Sequence, residues 1–279
     1  MTIKITSWNI EGRLSDSGFK NRGTPNQIIQ AISEIDADIL FLAEAHSENS
    51  LNDLTIIKKL YYLGYKIHSV NYDDDTALRK DTYTKQLSLI FASKLPIDKF
   101  EIIKLGDLRN ALVATINNND EKIRIIGVHL DDRSEETRIK QTKDLVKIIN
   151  KSDIPTIVMG DFNAMHSEDL WPAKFLRLRL IRFLSKFIFA RIASKAVEMA
   201  RGECLKYLEN NTNLSDADPK HQPTTTPKIR GFNWLPSIRL IQIDHIFISP
   251  EIKTSNFTIS LDLGADHRAI STWVTVKSK

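Results

Sequence analysis

Apolar residues fall into short runs along this chain, several of them rich in β-branched residues, and the turns between runs use Gly, Asn and Pro. Such runs predict β-strands. The predicted strands are 3–8, 39–42, 86–91, 111–116, 123–129, 156–159, 240–248 and 269–276. Apolar residues at helical spacing predict helices over 25–35, 52–62 and 134–149, and 117–120 predicts a hairpin loop. Because strands outnumber helices and runs of strands alternate with single helices, we predict two packed sheets with helices outside them.

One segment, 171–201, differs in character from the rest of the chain. Its apolar residues cover more than one narrow stripe, so a helix here would need burial on more than one side. It carries eight basic residues and one acid, a net charge of +7, whereas the whole chain has +4. This local basic character indicates an anionic partner. Three interpretations stay open: a helical insertion packed on the sheets, an arm for nucleic acid, and an arm that contacts an anionic membrane.

The composition is that of a globular protein, with 42% hydrophobic and 27% charged residues among 279. No linker divides the chain, so we expect one domain over 1–279, with 171–201 as an insertion, and a monomer without an obligate protein partner. Cys204 is the single cysteine, which excludes an internal disulfide, and we expect it to be a small buried residue. The N-terminus enters a strand pattern without the apolar region of a signal peptide, so we expect a cytoplasmic protein.

A predicted strand ends in an acid and an amide. The run 156–159 stops at Gly160 and is followed by Asp161 and Asn163. Polar residues at the exit of a buried strand tend to face a crevice, which favours an active site. The alternative is an Asx turn that closes the strand by local hydrogen bonds. Taken alone, the motif leaves both interpretations open.

Polar residues recur at other strand ends. They are Asn9, Glu44 and His129, Asp244 inside the strand 240–248, and Asp266 with His267 before the last strand. Each alone has a structural explanation, such as a turn cap or a satisfied core histidine. An acid within a strand rich in Ile and Phe is nevertheless costly unless it is paired or binds a metal. It is improbable that all of these polar residues have only structural roles.

These side chains suit one kind of chemistry. Glu44, with one or more of Asp161, Asp244 and Asp266, offers the hard oxygen ligands that Mg²⁺ prefers, and we find no Cys/His cluster that suits zinc. Magnesium, amides and a histidine together meet the needs of phosphodiester hydrolysis: charge neutralisation, an oriented water and stabilisation of the leaving oxygen. Asp244 is the candidate that holds His267 in one tautomer.

Six short motifs occur in an order that resembles the motif series of the endonuclease/exonuclease/phosphatase superfamily. They are Ser7-Trp8-Asn9, Leu42-Ala43-Glu44, Val128-His129-Leu130, Gly160-Asp161-Phe162-Asn163, Ile243-Asp244-His245 and Ala265-Asp266-His267. The resemblance runs from the first predicted strand to the last. It implies an α+β fold, a four-layer α/β/β/α sandwich of two packed, mostly antiparallel sheets with outer helices and a site at the strand ends.

The resemblance also implies roles for individual residues. The metal would be held by Glu44 with Asn9 and Asp266, with Mg²⁺ as the cofactor and Mn²⁺ as a substitute. Asp161 would orient or deprotonate the attacking water, while His129 and His267 would stabilise the charged transition state and Asp244 would pair with His267. The substrate phosphate would be contacted by Asn163, Asn9 and Arg109.

Two positions depart from the superfamily pattern. The glutamine that commonly precedes the metal-binding glutamate is Ala43 here, which removes a hydrogen bond to that carboxylate. An acid that orients the histidine at position 129 in some members has no counterpart, although Gln86 lies in the corresponding region.

Three functions are compatible with these residues. The first is a Mg²⁺-dependent phosphodiesterase, a nuclease acting on DNA or RNA through the basic segment. The second is a phosphatase or phospholipase-type hydrolase that acts on an inositol phosphate, a phospholipid or another small phosphorylated substrate, with Trp171, Phe175 and Phe183 inserting into a membrane. The third is a binding module without catalysis, which the complete set of acids, amides and histidines disfavours.

Overall fold

The computed structural model describes residues 1–10, 25–46, 53–71, 87–107, 109–118, 121–166, 197–225, 241–261 and 265–276. Two predictions concern residues outside these ranges. Gln86 and most of the basic segment, 171–196, lie outside the described residues.

The described helices are α1 (Pro25–Ile35), α2 (Asp53–Tyr62), α3 (Glu135–Ile149) and α4 (Glu203–Asn211). The first half of the strands consists of β1 (Thr2–Asn9), β2 (Ile39–His46), β3 (Lys66–Asn71), β4 (Leu87–Ser93), β5 (Ile97–Leu105) and β6 (Arg109–Asn118). The second half consists of β7 (Glu121–His129), β8 (Thr156–Asp161), β9 (Ser215–Asp216), β10 (Asp244–Ile248), β11 (Ile252–Ile259) and β12 (Ile270–Val276).

The strands form two sheets of six strands each. Sheet A has the order β11-β12-β1-β2-β4-β3, and sheet B has the order β5-β6-β7-β8-β10-β9. The neighbours β1–β2 and β7–β8 are parallel, and the other pairs are antiparallel. Each parallel pair is joined through a helix, α1 or α3, because parallel neighbours need a crossover connection. The predicted pair of mostly antiparallel sheets is confirmed.

Three apolar layers hold the fold together. Between the sheets, Ile5 and Phe41 of sheet A belong to the same buried cluster as Ile125 and Met159 of sheet B. A second cluster joins the outer face of sheet A to α1 and α2, and a third joins the outer face of sheet B to α3 and α4. Each sheet is therefore covered on one face by its partner and on the other by helices, which confirms the four-layer sandwich.

Phe41 and Gly127 interlock across the two sheets. A Cβ atom added at Gly127 would lie only 2.2 Å from Cδ2 of the Phe41 ring. The ring therefore occupies the space that any larger residue at position 127 would need. This contact fixes how closely β2 and β7 approach each other.

A buried polar network fixes the start of α3. The Ser134 side chain caps the helix. The Glu135 carboxylate accepts hydrogen bonds from Arg138 Nε at 2.7 Å and from the Cys204 amide at 2.8 Å. Arg138 also donates to the carbonyl of Glu198 at 2.7 Å. The end of the basic segment, at Glu198, and the chain that follows it, at Cys204, are thereby attached to α3.

Cys204 is fully buried, as predicted. Burial and the neighbouring Glu135 raise the pKa of its thiol. A buried thiol that stays protonated packs as a small apolar side chain.

Four strands that the apolar pattern did not predict, β3, β5, β9 and β11, are the edges of the two sheets. Strand β5 shows the reason, because most of its residues are exposed or half-buried and carry little apolar periodicity. The predicted strand 240–248 was wrong at its start, since β10 begins at Asp244 and Ile241 forms only an isolated bridge with Thr225. Among the described helices, none combines the length and the apolar character needed to cross a membrane.

We predict that Gly127→Ala lowers the free energy of unfolding by about 1–3 kcal/mol, because the new methyl group overpacks the core against Phe41. In a Phe41→Leu background the same change should cost less, which gives a coupling energy of at least about 0.5 kcal/mol in a double-mutant cycle measured by urea denaturation. Gly64→Ala, which is strained by the backbone φ of +89° but meets no atom closer than 4.0 Å, is the control, and its cost should be additive with Phe41→Leu. An equal cost of Gly127→Ala in both backgrounds would contradict the interlock.

Candidate active site

Three polar residues of sheet B lie side by side on neighbouring strands. His129, at the end of β7, is the register partner of Asp161, at the end of β8. Asp161 is in turn the partner of Asp244, the first residue of β10. The ends of three adjacent strands therefore place two acids and a histidine in one line across the sheet.

A second set comes from sheet A and faces the first. Asn9 ends β1 and is the register partner of Ala43, which precedes Glu44 on β2. Asp266 and His267 directly precede β12, which pairs with β1 on its other side. Both sheets thus deliver their polar residues to the same end of the sandwich.

Asp161 is where the two sets meet. Asn9 Nδ2 donates a hydrogen bond to Asp161 Oδ2 at 2.9 Å. His129 Nε2 lies 3.6 Å from the same oxygen and 3.8 Å from Glu44 Oε1, and His267 Nε2 lies 3.8 Å from Asp161 Oδ2. The predicted side chains of Asn9, Glu44, His129 and His267 are therefore gathered around one buried carboxylate.

Gly160 allows β8 to approach β7 at this point. Its φ is +153°, and a Cβ atom at this position would lie 1.8 Å from the carbonyl oxygen of Val128. Only glycine fits, because the clash would be with backbone rather than with a movable side chain. The glycine before Asp161 is thus a requirement of the close contact that brings Asp161 beside His129.

The Asx turn considered as an alternative for Asp161 is also present. Asp161 Oδ1 accepts a hydrogen bond from the amide of Asn163 at 2.8 Å, while Oδ2 faces the polar set of sheet A. Asn163 has φ +51° and donates from Nδ2 to the carbonyl of Leu130 at 3.1 Å. The local turn and the converging site are therefore compatible, because they use different oxygens of one carboxylate.

Asp244 and His267 form a hydrogen-bonded pair. His267 Nδ1 lies 2.9 Å from Asp244 Oδ2 and 3.1 Å from Oδ1. The hydroxyl of Thr224 donates to Asp244 Oδ2 at 2.7 Å, and that of Thr225 donates at 3.2 Å. This arrangement fixes the ring orientation of His267 and leaves its Nε2 directed toward Asp161.

Burial controls the protonation of the site. It raises the pKa of Asp161 to about 6, although the neighbouring His267 favours the charged carboxylate. It also raises the pKa of Glu44 to about 7, with a further contribution from the negative charge of Asp266. Burial opposes the charged form of His267, but Asp244 and Asp161 outweigh it and raise the pKa of His267 well above the usual value. The two acids on either side of His267 therefore favour its imidazolium form.

Glu44 reaches the site through a β-bulge. The pairing of β2 with β4 is irregular between Leu42 and Ala45, and Glu44 has φ +52°. Phe41 and Ala43 belong to the core between the sheets, whereas Leu42 and Ala45 belong to the core on the outer side. The extra residue interrupts the alternation, so Glu44 is not forced to the outer face. Ala43 stands where the superfamily commonly has a glutamine, and its side chain is buried in the apolar layer between the sheets.

Arg109 is buried rather than solvated. It begins β6, beside the end of β7 that carries His129, because the two strands are antiparallel. Its guanidinium lies 3.6 Å from Asp132 Oδ1. This position is at the same end of sheet B as the other polar residues.

A divalent cation fits the carboxylates at the opening of the site. The side chains of Glu44 and Asp266 are 26% and 25% exposed, and the charge of Asp266 raises the pKa of Glu44. A cation between them would remove this repulsion, and carboxylate and amide oxygens suit Mg²⁺. Asp161, Asp244 and His267 also place their donor atoms within 4.8 Å of one another. We favour Glu44 and Asp266, because Asp244 is already engaged by His267 and two threonines.

The supporting threonines were not predicted from the sequence as partners of Asp244. The signal available for Thr224 and Thr225 is a pair of adjacent hydroxyls before the strand that carries Asp244. Thr225 also forms isolated bridges with Ile241 and His267, and these bridges bring the pair to the site. These segments are far apart in the chain, so their contact is visible only in the folded structure.

We predict that Asp244→Asn lowers the pKa of His267 in the metal-free protein. The carboxylate that favours the imidazolium is lost, while the burial that opposes it remains. The measurement is an NMR titration of the imidazole protons in the presence of a chelator. Asp36→Asn, which removes an exposed carboxylate paired with Lys94, is the control and should leave the His267 titration unchanged. An unchanged titration in Asp244→Asn would rule out the proposed electrostatic coupling.

Comparisons with solved structures agree with the fold. An endonuclease/exonuclease/phosphatase from Bacteroides vulgatus matches with a TM-score of 0.68 at 16% identity, covering 99% of this chain and 100% of that one. D. rerio TDP2 complexed with single-strand DNA product matches with a TM-score of 0.65 at 17% identity, covering 99% of both chains. ANGEL2, a 2′,3′-cyclic phosphatase, in complex with adenosine-2′,3′-vanadate, matches with a TM-score of 0.68 at 15% identity, covering 100% of this chain and 96% of that one.

The family is shown by the sequence itself. No curated protein matches this chain. The model of the endonuclease/exonuclease/phosphatase family, however, matches residues 6–271, which include every polar residue of the site described above. The chain therefore belongs to the endonuclease/exonuclease/phosphatase family and is a hydrolase that acts on phosphoric ester bonds.

Proposed function

We propose that this protein is a Mg²⁺-dependent phosphodiesterase that hydrolyses the backbone of DNA or RNA. The observation that carries the proposal is the buried Asp161 carboxylate, which lies within 4 Å of two histidines at the junction of the two sheets. An acid beside cationic and hydrogen-bonding groups can accept a proton from water while its neighbours stabilise negative charge on a phosphate.

Asp161 is the proposed base. Its pKa of about 6 is high enough for an effective proton acceptor and low enough for the carboxylate to be ionised at neutral pH. Asn9 donates to the oxygen that faces the site, which fixes the direction in which Asp161 can receive a proton. The attacking water would thus be oriented by a carboxylate that cannot turn.

The two histidines are the proposed stabilisers of the transition state. His267 carries a positive charge that Asp244 maintains and orients, and its Nε2 is the atom directed toward Asp161. His129 approaches the same oxygen from sheet B. A phosphate bound between them would gain charge-assisted hydrogen bonds as negative charge grows on its oxygens. Asn163 and Arg109 are proposed to contact the same phosphate.

Glu44, Asp266 and Asn9 are the proposed metal ligands, with Mn²⁺ as a substitute for Mg²⁺. When bound, the ion supplies charge neutralisation at the non-bridging phosphate oxygens. The two carboxylates provide a negative opening for it, and the raised pKa of Glu44 reflects its burial first and then the charge of Asp266. The oxygen-only ligand set is the reason to propose Mg²⁺ rather than a softer ion.

We favour nucleic acid as the substrate because of the positive charge of the segment 171–201. The segment 171–201, proposed as an insertion in a single domain, carries +7 and begins ten residues after the strand that ends at Asp161. Basic residues near a hydrolytic site would neutralise backbone phosphates and make binding dependent on salt. TDP2, a structural neighbour, is complexed with single-strand DNA product. We propose a cytoplasmic monomer.

A phosphatase or phospholipase-type activity is the second candidate. The segment 171–201 mixes its basic residues with Trp171, Phe175 and Phe183, a composition that also suits an anionic membrane. ANGEL2, another structural neighbour, is a 2′,3′-cyclic phosphatase. A small phosphorylated substrate would need the same water-orienting acid and the same histidines.

The test is a substrate panel with three variants. Plasmid DNA, an abasic duplex, a single-stranded oligonucleotide, inositol phosphates and sphingomyelin are each incubated with Mg²⁺ or with a chelator. We predict metal-dependent hydrolysis of nucleic acid, with rates that fall as salt rises. Asp161→Ala and His267→Ala should each lower kcat by about 10²–10⁴-fold, because each removes a group that acts in proton transfer or charge stabilisation. Asp98→Ala, which removes an exposed carboxylate on β5, is the control and should retain wild-type turnover.

Each alternative has a distinct result. Near-wild-type turnover in Asp161→Ala or His267→Ala would contradict the assigned roles. Hydrolysis restricted to inositol phosphates or sphingomyelin would favour the second candidate. Hydrolysis of no substrate by the folded wild-type protein would favour a binding module that retains the fold without catalysis.

A further inference from the structure

A second cluster of titratable residues lies on the opposite face of sheet B. Successive residues of a strand point to opposite faces, so Asp244 faces the site between the sheets and His245 faces the helices. The His245 ring packs edge-on against Phe162 at 5.6 Å, and Phe162 belongs to the core shared with α3 and α4. His245 also contacts Asp216 at the end of β9, which places the cluster outside the active site.

Three segments of chain meet at this cluster. His166 follows β8, Asp216 ends β9, and His221 lies in the connection that follows β9. His166 Nε2 lies 3.3 Å from Asp216 Oδ2, and the rings of His166 and His221 stack at 4.1 Å. One donor atom from each of the three residues lies within 4.8 Å of the others. No zinc-type cluster was predicted from the sequence, since these residues are separated by up to 55 positions along the chain.

We propose that His166, Asp216 and His221 bind a divalent transition-metal ion of the zinc class, at a site separate from the hydrolytic centre. The side chains of His166 and Asp216 are only 9% and 4% exposed, so a carboxylate and an imidazole are buried together. Burying such groups is costly unless they are paired or bind an ion. His166 and His245 already pair with Asp216, so the buried acid is held as a carboxylate beside an imidazole. Two imidazoles and a carboxylate are ligands that suit Zn²⁺, whereas the oxygen ligands of Glu44 and Asp266 suit Mg²⁺.

Neighbouring side chains hold two of the proposed ligands in place. His245 Nδ1 lies 2.8 Å from Asp216 Oδ2 and its Nε2 lies 2.9 Å from the carbonyl of Ala164, so both ring nitrogens are engaged. The Asp216 carboxylate is thereby held in one orientation: Oδ2 is shared by His245 and His166, and Oδ1 accepts a hydrogen bond from the amide of Asp218 at 2.8 Å. His166 directs Nε2 toward Asp216 and Nδ1 toward Glu209 Oε1 on α4, at 4.0 Å. A carboxylate behind a ligating histidine is the usual arrangement in protein metal sites.

His221 is the ligand that has to move. The rings of His166 and His221 are nearly parallel, at 8°, and 4.1 Å apart, so their in-plane nitrogen lone pairs do not converge. Zinc–nitrogen bonds of about 2.0–2.1 Å to both rings therefore require the His221 ring to turn from its stacked position. This residue is half-buried and has φ +45°, a backbone conformation that is uncommon outside glycine. Bound metal would connect the chain after β8 to the connection after β9, and binding only to the native state would raise the melting temperature.

The test is a titration with Co²⁺, which reports its coordination by visible absorption. It uses the full chain carrying Glu44→Gln, so that the proposed Mg²⁺ site is weakened. Four-coordinate Co²⁺ with imidazole ligands absorbs far more strongly than six-coordinate Co²⁺ with oxygen ligands. We expect one equivalent to give the strong four-coordinate band, Zn²⁺ to displace it, and excess Mg²⁺ to leave it unchanged.

Variants in the same background assign the ligands. His166→Gln and His221→Gln should each abolish the band at one equivalent, and Glu209→Gln should weaken binding by about 10–100-fold. His68→Gln removes a half-buried histidine on β3 and is the matched control, which should retain the band. Circular dichroism checks each fold, and His221→Gln carries the test if His166→Gln does not fold. Absence of the four-coordinate band, or its persistence in His221→Gln, would overturn the proposal.

Discussion

The ends of β1 and β8 belong to different sheets, and the hydrogen bond from Asn9 to Asp161 at 2.9 Å joins them. This contact depends on the distance between the sheets, which the apolar layer around Phe41 and Gly127 determines. Close-packed interiors transmit small changes in volume to their surroundings. The position of the water-orienting acid relative to the residues of sheet A is therefore a property of the core as well as of the site.

Burial of these polar side chains costs free energy of folding, and the same burial shifts the pKa values on which the proposed chemistry depends. Burial of Asp161 and partial burial of Glu44 raise the pKa of both acids toward neutrality, and the surrounding acids raise the pKa of His267. Exposed side chains with the same sequence would titrate at ordinary values and would be screened by solvent. Successive residues of β10 face opposite sides of sheet B and so separate two sets of titratable groups. Asp244 pairs with His267 between the sheets, whereas His245 contacts Asp216 in the cluster beneath α4.

The sequence was informative where burial was complete. The central strands of both sheets are largely buried and were predicted, whereas all four edge strands were missed because their side chains are partly solvated. The polar residues at the ends of central strands were predicted together with them, and the structure gathers them at one end of the sandwich. The bulge that directs Glu44, the threonines behind Asp244 and the cluster around Asp216 were not predictable, because each depends on contacts between distant segments.

The central claim is that a divalent cation binds between Glu44 and Asp266, next to an acid that orients water. The most direct measurement is anomalous diffraction from crystals soaked in Mn²⁺, with data collected on both sides of the manganese absorption edge. The account predicts an anomalous peak bonded to carboxylate oxygens of Glu44 and Asp266, with Asp244 still hydrogen-bonded to His267. A peak bonded instead to Asp244 and His267, or no peak at this end of the sandwich, would contradict it.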